Sequence, residues 1–374
     1  MAARRYEWIN WDGLGNEAEE DAADLNYDYE WVVPDQEAQE NGGVGDSEEH
    51  VEQEQEADNN VEGDGNGGAS DANGTLTRKR RWCQLHEKHI VYAMVLERTK
   101  AGDPKFKEMY NVIHIDEKWF YRSRGSQNYY LANDEEDPYR STQSKNFIEK
   151  VMFLAAVARP RFDANGTMIF DGKLGIWPFT YQEAAKRKSK NRDVTKVLPA
   201  VTQNVVREYM INFLIPAIRA RWPAAERGMP IYVQQDNAKT HIPLDDPEFV
   251  AAAQAEGWDI RLTCQPPNSP DLNILDLGFF AALQALFQKL SPGSIEDIVL
   301  KVQQTFEEYP AERSNRIFLT LQACMIEVLK QLGGNRYKVP HMRKAVRERL
   351  GDLPVALQCA ANIVNDAIES LPNV

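Results

Sequence analysis

The 374-residue chain carries 57 acidic and 43 basic side chains, a net charge of −14, and is long enough for one large or two modest domains. Nothing in it resembles a signal peptide, and its longest apolar runs, such as Val151 to Ala158, fall far short of the ~20 residues a bilayer requires. Cys83, Cys264, Cys324 and Cys359 are scattered with no pair at metal-ligand spacing, which argues against a structural zinc and for a reducing compartment.

The charge is unevenly placed. Residues 1–77 hold 22 acidic side chains and only Arg4 and Arg5 as bases, so the remaining chain, with 41 basic and 35 acidic groups, is mildly positive at +6. The first 77 residues are rich in Glu, Asp, Gly, Asn and Gln and cannot bury enough apolar surface to offset ordering entropy, so they read as a disordered acidic tail. The basic body suits a polyanionic partner.

The sign switches abruptly at Thr77-Arg78-Lys79-Arg80-Arg81, a run fit for nuclear import or for phosphate contact. Residues 78–110 form a basic linker, helical from 81 to about 100 and interrupted by Gly102, Asp103 and Pro104. A strand is expected over Asn111 to Tyr121, its apolar part running straight into Asp116. Further strands follow at Asn128 to Leu131 and Val151 to Ala158. Phe162 to Asp171 reads as a hairpin turning at Asp163-Ala164-Asn165-Gly166, and Gly175 to Pro178 ends that antiparallel region. Lys186, Arg187 and Lys188 open a dense basic loop read as a nucleic-acid backbone contact.

A helix from about Thr202 to Arg221 presents Val205, Val206, Tyr209, Phe213 and Ile218 on one side. Ile231 to Val233 then forms a short buried strand behind Pro230, ending in Asp236, Asn237, Lys239 and His241. Polar residues at the end of a buried strand are where α/β folds put chemistry. A helix near Pro247 to Glu256 and a strand at Asp259 to Cys264 lead into the turn-rich segment Gln265 to Asp271.

From Asp276 to Leu290 the pattern is helical, and Phe280, Leu283 and Phe287 share the face of Asp276. An unpaired ion on an apolar face costs several kcal/mol, more than the ~0.3–1 kcal/mol a helix start returns. If Asp116 and Asp236 end neighbouring strands and Asp276 faces them, the three carboxylates repel one another until a cation lies between them. Hard divalent ions with oxygen ligands meet that need, and two of them can clamp the oxygens of a phosphodiester displacement.

The remaining helices read as structural, forming an extension over 291–374. Ser294 to Asp297 is a capping box opening a helix to about Tyr309. The next, from Ser314, places Ile317, Leu321, Cys324 and Val328 on one face and stops at Gly333-Gly334. His341 to Arg349 is strongly basic, either a second DNA-facing surface or a solvated face.

Three motifs make the sequence specific: His-Ile-Asp-Glu-Lys-Trp-Phe around Asp116, Gln-Gln-Asp-Asn-Ala-Lys-Thr-His around Asp236, and Pro-Pro-Asn-Ser-Pro-Asp-Leu-Asn-Ile-Leu-Asp-Leu-Gly-Phe-Phe around Asp276. In this order, with 39 residues between the second and third acids, they resemble the catalytic domain of mariner-like transposases, particularly the plant-type group whose third acid is aspartate. The likeness covers roughly residues 79–350. It implies an α/β, RNase H-like mixed sheet flanked by helices over 111–290. It further implies that Asp116, Asp236 and Asp276 bind two Mg2+ or Mn2+ ions. These would serve DNA cleavage at transposon ends and then strand transfer into target DNA. Glu117, Lys118, Trp119, Asn237, Lys239 and His241 would line the site or touch DNA. The family works as dimers in the nucleus, so a homodimer is an expected partner and a membrane is not. Family members carry helix-turn-helix modules before the catalytic domain, whereas residues 1–77 are acidic without paired amphipathic helices. The alternative is therefore a truncated or host-recruited derivative that binds DNA without transposing.

Overall fold

The computed structural model describes residues 95–97, 102–122, 148–184, 193–266, 269–334 and 336–370. The acidic tail, the basic run at 78–81, the strand expected at Asn128 to Leu131 and the loop with Lys186, Arg187 and Lys188 lie outside the described residues.

The centre is a five-stranded mixed sheet whose strands lie in the order Asp259–Cys264, Pro230–Gln235, Val112–Tyr121, Lys150–Ala158, Lys173–Pro178. Strands β3 (Val112–Tyr121), β10 (Pro230–Gln235) and β11 (Asp259–Cys264) run parallel. Strands β4 (Lys150–Ala158) and β7 (Lys173–Pro178) extend the sheet antiparallel. β4 is an interior strand between β3 and β7 with both faces covered, which explains its nearly unbroken apolar sequence.

The two faces separate by alternation. Ile113, Ile115, Leu154 and Ala156 face Val206, Met210, Leu214, Ile218 and Phe249. Those residues come from helices α1 (Gln203–Tyr209), α2 (Ile215–Arg221) and α3 (Pro247–Ala253) and the turn between the first two. Phe120, Phe153, Ala155 and Val157 point the other way, into a larger core with α4 (Phe280–Gln288), α5 (Ile295–Glu308) and α6 (Ala311–Lys330). Val339, Ala356, Cys359, Val364 and Ala367 from the C-terminal part join that same core. The fold class is thus α/β, a mixed sheet flanked by helices.

Buried Arg159 ties these parts together. It donates to the Asn315 side chain of α6 at 2.9 Å, to the Glu108 carbonyl at 2.8 Å and to the Val355 carbonyl at 2.5 Å. Such a guanidinium is tolerable inside only because its donors are matched.

Several local expectations hold. The turn after Phe162 closes with Asp163 Oδ1 accepting from the amides of Asn165 and Thr167, and Gly166 takes a φ of 81° that favours glycine. Ser294 Oγ accepts from the Asp297 amide at the start of α5, while Asp297 Oδ2 accepts from Gly293 rather than from the cap residue itself. Ile317, Leu321, Cys324 and Val328 are all buried on α6.

Four expectations need correction. Val95–Glu97 (β1) is a strand within the stretch read as helix, paired antiparallel with β2 (Lys105–Phe106) across Gly102. Phe106 is buried and its amide bonds the Leu357 carbonyl, so long-range pairing overrides helical periodicity there. The strand expected over Asn111 to Tyr121 forms as β3, and only the supposition that Asp116 ends it fails, because β4 pairs with β3 along the whole of Ile113 to Tyr121. Gly175 to Pro178 belongs to an edge strand of the main sheet; the hairpin β8 (Thr180–Ala184) with β9 (Asp193–Val197) follows it. Finally, the helix over 202–221 is interrupted by a π turn at Met210–Leu214, just before Pro216, which has no amide hydrogen to donate. The extra residue in that turn moves Met210, Leu214 and Ile215 to the core and leaves Phe213 43% exposed.

Candidate active site

The parallel register sets two of the acids level. Tyr232 pairs with Val112 and Gln234 with His114, so the next step of the same alternation brings Asp236 abreast of Asp116. Asp116 shares the face of Phe120, the side of the sheet covered by α4. Asp276 comes from the π turn Leu275–Phe279 that leads into α4, and its carboxyl is hydrogen-bonded to that of Asp116.

This corner is half-buried and its pair shares a proton. Burial, then the charges of Asp276 and Glu117, push Asp116 up to about 9, although the Glu117 amide donates to its Oδ1 at 2.7 Å. Burial also raises Asp276, opposed by the hydrogen bond from Asp116 and by the positive charge of Lys118. Both carboxyls are thus driven toward the neutral form, and the pair holds a proton between them. The Lys118 ammonium lies 5.9 Å from the centre of the Phe280 ring, on the same apolar wall.

Asp236 lives differently. Its Oδ1 is 2.7 Å from His241 Nδ1 and accepts from the Ala238 amide at 2.8 Å. His241 Nε2 lies 3.1 Å from Glu117 Oε2, so one ring bridges two carboxylates. Burial alone would lower the imidazole, but hydrogen bonds to Asp236 and Glu117 outweigh it and push His241 up to about 11. The ring is cationic and donates from both nitrogens. The His241 bond in turn holds Asp236 below the usual carboxylate range, against its partial burial. The negative charge of Asp236 still reaches Asp276 and adds to the raising of its pKa.

The other residues singled out by sequence sit around this centre. Asn237 donates to the Gln265 carbonyl at 2.7 Å, fastening the loop after β10 to the end of β11. Lys239 is exposed. Trp119 is half-buried on the opposite face from Asp116, with the Lys150 ammonium 4.2 Å from its ring centre. Of the basic segment His341 to Arg349, Lys344 is buried against Thr320 Oγ1 and Arg347 binds Asp352, so part of its charge is engaged internally.

A buried amide network beneath the acids was not legible from residue types. Gln234 Nε2 donates to the Leu272 carbonyl at 3.0 Å and lies 3.3 Å from His114 Nδ1. Burial lowers His114 to about 3, so the ring is neutral. Asn273, wholly buried, donates to Asp116 Oδ2 at 3.1 Å. Its presence in the third motif was a signal; its partner, 157 residues away, was not.

Carboxylate oxygens are the donors that hard divalent cations take, and two of the three acids already touch. Among the described residues, however, no three His, Cys, Asp or Glu side chains stand as a ready ligand group. Asp236 is turned to His241, and the Asp116–Asp276 pair is closed by its proton. The donor chemistry fits a divalent ion, and taking one up requires that proton to leave.

No protein-family model matches the sequence, and no curated protein does. Among solved structures, the Mos1 mariner paired-end complex with Mn is similar, with a TM-score of 0.44 and 13% identity over 70% of this chain and 64% of that one. The corresponding complex with Mg gives 0.44 and 14% over the same shares. The catalytic domain of Mos1 mariner transposase gives 0.40 and 14%, over 65% of this chain and 88% of that one. The chain thus spans less than two thirds of the Mos1 chains in the complexes. With every one of these TM-scores below 0.5, the fold assignment rests on strand order and pairing instead.

Proposed function

We propose that this chain is a metal-dependent DNA transposase-type enzyme, which hydrolyses phosphodiesters and transfers DNA strands through Asp116, Asp236 and Asp276. The observation carrying this reading is the meeting of three motif acids at one end of the sheet. Asp116 and Asp276 are hydrogen-bonded, and Asp236, just past the end of the adjacent parallel strand, lies close enough for its charge to act on Asp276. Carboxylates held this close are costly unless a proton or a cation offsets their charge.

The three aspartates would hold two Mg2+ or Mn2+ ions, which when bound supply Lewis acidity to the reacting phosphate and to the attacking hydroxyl. This chain's own residues do the positioning. The Asn273 amide and the Glu117 backbone fix the two oxygens of Asp116. Lys118 keeps positive charge beside Asp276. His241 holds Asp236 and Glu117 in place, and as a buried cation it offsets their charge. Lys239 and Asn237, in the exposed segment after Asp236, are candidates for DNA contact, as are, by sequence alone, Trp119, Lys186, Arg187 and Lys188. We place the activity in the nucleus, on a dimer engaging transposon ends and target DNA. No described helix is long and apolar enough to cross a membrane.

A second reading is a derivative that binds DNA without catalysis. The pairing of Asp236 with His241, in place of a ready ligand group, favours it. Nicking of supercoiled plasmid DNA in Mg2+ or Mn2+ separates the two. The enzyme reading expects nicking by the wild type and loss in Asp236→Ala with DNA affinity retained. DNA binding without metal-dependent nicking by the wild type leaves the second reading standing.

A further inference from the structure

We infer that Asn273 is a positioning residue that couples the first and third acids of the site, a role resting on the catalytic reading above. The side chain is 0% exposed and uses both ends of its amide. Its Nδ2 donates to Asp116 Oδ2 at 3.1 Å and lies 3.4 Å from the Ile115 carbonyl of the same strand. Its Oδ1 accepts from the Leu275 amide at 3.1 Å, and its own carbonyl accepts from Leu277 at 2.8 Å. These bonds start the turn on which Asp276 sits. One residue thus fixes the carboxyl plane of Asp116 and the backbone that presents Asp276.

The amide is itself held from behind. The turn Pro270–Leu272 that precedes it is pinned to β10 by Gln234 Nε2 on the Leu272 carbonyl and to the C-terminal part by the Tyr337 hydroxyl on Asp271. Only an asparagine meets the two demands at this length. Aspartate has no hydrogen to give a carboxylate, and serine is too short to reach Asp116 while still able to accept from an amide two residues on. Asn273→Ser therefore keeps the local turn and deletes the contact with Asp116.

The decisive measurement is Mn2+ affinity, read from the electron paramagnetic resonance of free Mn2+, in the full chain as wild type, Asn273→Ser, Asp116→Asn and the double variant. A positioning role predicts about tenfold weaker binding in Asn273→Ser, the scale of an outer-shell partner. It also predicts no further weakening when Asn273→Ser is added to Asp116→Asn, and unchanged DNA affinity by fluorescence anisotropy. On plasmid DNA the same variant loses nicking rate at saturating DNA with little change in KM. Wild-type Mn2+ affinity in Asn273→Ser overturns the inference, as does an additive loss in the double variant. Weaker binding that tracks a lowered melting temperature and lost DNA affinity also overturns it, because a general fold defect then suffices. Mn2+ binding without nicking in the wild type sinks the catalytic reading alone, and absence of Mn2+ binding in the wild type sinks both.

Discussion

Asp116 lies within β3 and Asp236 just past the end of the parallel neighbour β10, and their surroundings push them in opposite directions. Asp116 faces the larger core, where burial and the charges of Asp276 and Glu117 push it up to about 9. Asp236 emerges from its strand into a half-exposed loop, meets a cationic imidazole and stays ionised. Identical side chains are set apart by which face and which neighbour the fold provides. One corner of the site costs stability, and the other contributes to it.

The apolar wall of the half-buried corner gives the largest expected effect. Phe287 is fully buried and meets Phe120 edge-to-face at 5.3 Å, directly beneath the strand that carries Asp116. Phe287→Ala should lower unfolding free energy by about 3–5 kcal/mol in urea titrations. A smaller loss would mean the wall can close around the gap.

The two acids themselves sharpen the contrast. A folded pKa near 9 for Asp116, against about 3.9 unfolded, means its contribution is fully present below pH ~4 and declines as pH rises towards 9. Asp116→Asn should therefore abolish metal-dependent nicking but gain ~1–3 kcal/mol at neutral to alkaline pH. Asp236 has the reverse sign: its contribution is present above pH ~4 and is lost as pH falls through its depressed folded value. Asp236→Asn should lose nicking and also lose about 0.5–1 kcal/mol at neutral pH, a figure held down by solvent screening at a carboxylate 39% exposed. The cationic His241 adds stability that is full below pH ~6.5 and falls as pH rises towards 11, and Asp236→Asn should shrink this slope. Denaturant titrations of both variants at acidic, neutral and alkaline pH check these signs; equal effects from the two would erase the contrast.

The smallest effect belongs to Lys239, exposed beside the polar corner. Lys239→Ala should leave stability within about 0.5 kcal/mol. If the residue touches phosphate, DNA binding weakens and the salt-dependence slope drops by about one. An unchanged slope removes it from the DNA-facing set.

Much of this was readable along the chain. The strand Asp259–Cys264, the turn at Asp163 to Gly166, the cap at Ser294 and the buried stripe Ile317, Leu321, Cys324 and Val328 each follow from a short run of residues whose local period or turn chemistry has one good solution. What failed did so where distant pairing competed with local pattern. Val95–Glu97 is a strand because Lys105–Phe106 is there to pair with it. β3 runs past Asp116 because β4 pairs with it to Tyr121. The π turn at Met210–Leu214 shifts helical phase by a residue, and the extended backbone at Gly278 breaks the helix after Asp276, changes that amphipathic spacing does not record.

The sequence by itself determined the apolar faces, the segment types and the three motif acids, since each depends on neighbours within a few residues. Tertiary structure decided which carboxylates share a proton, which meets a cation, and which buried amide holds Asp116 in place. The Asp236–His241 contact spans only five residues, but the partners Asp116–Asp276, Asn273–Asp116 and His241–Glu117 lie 124 to 160 residues apart, brought together by strand order and register, and their charges depend on how much water the packed helices leave between them.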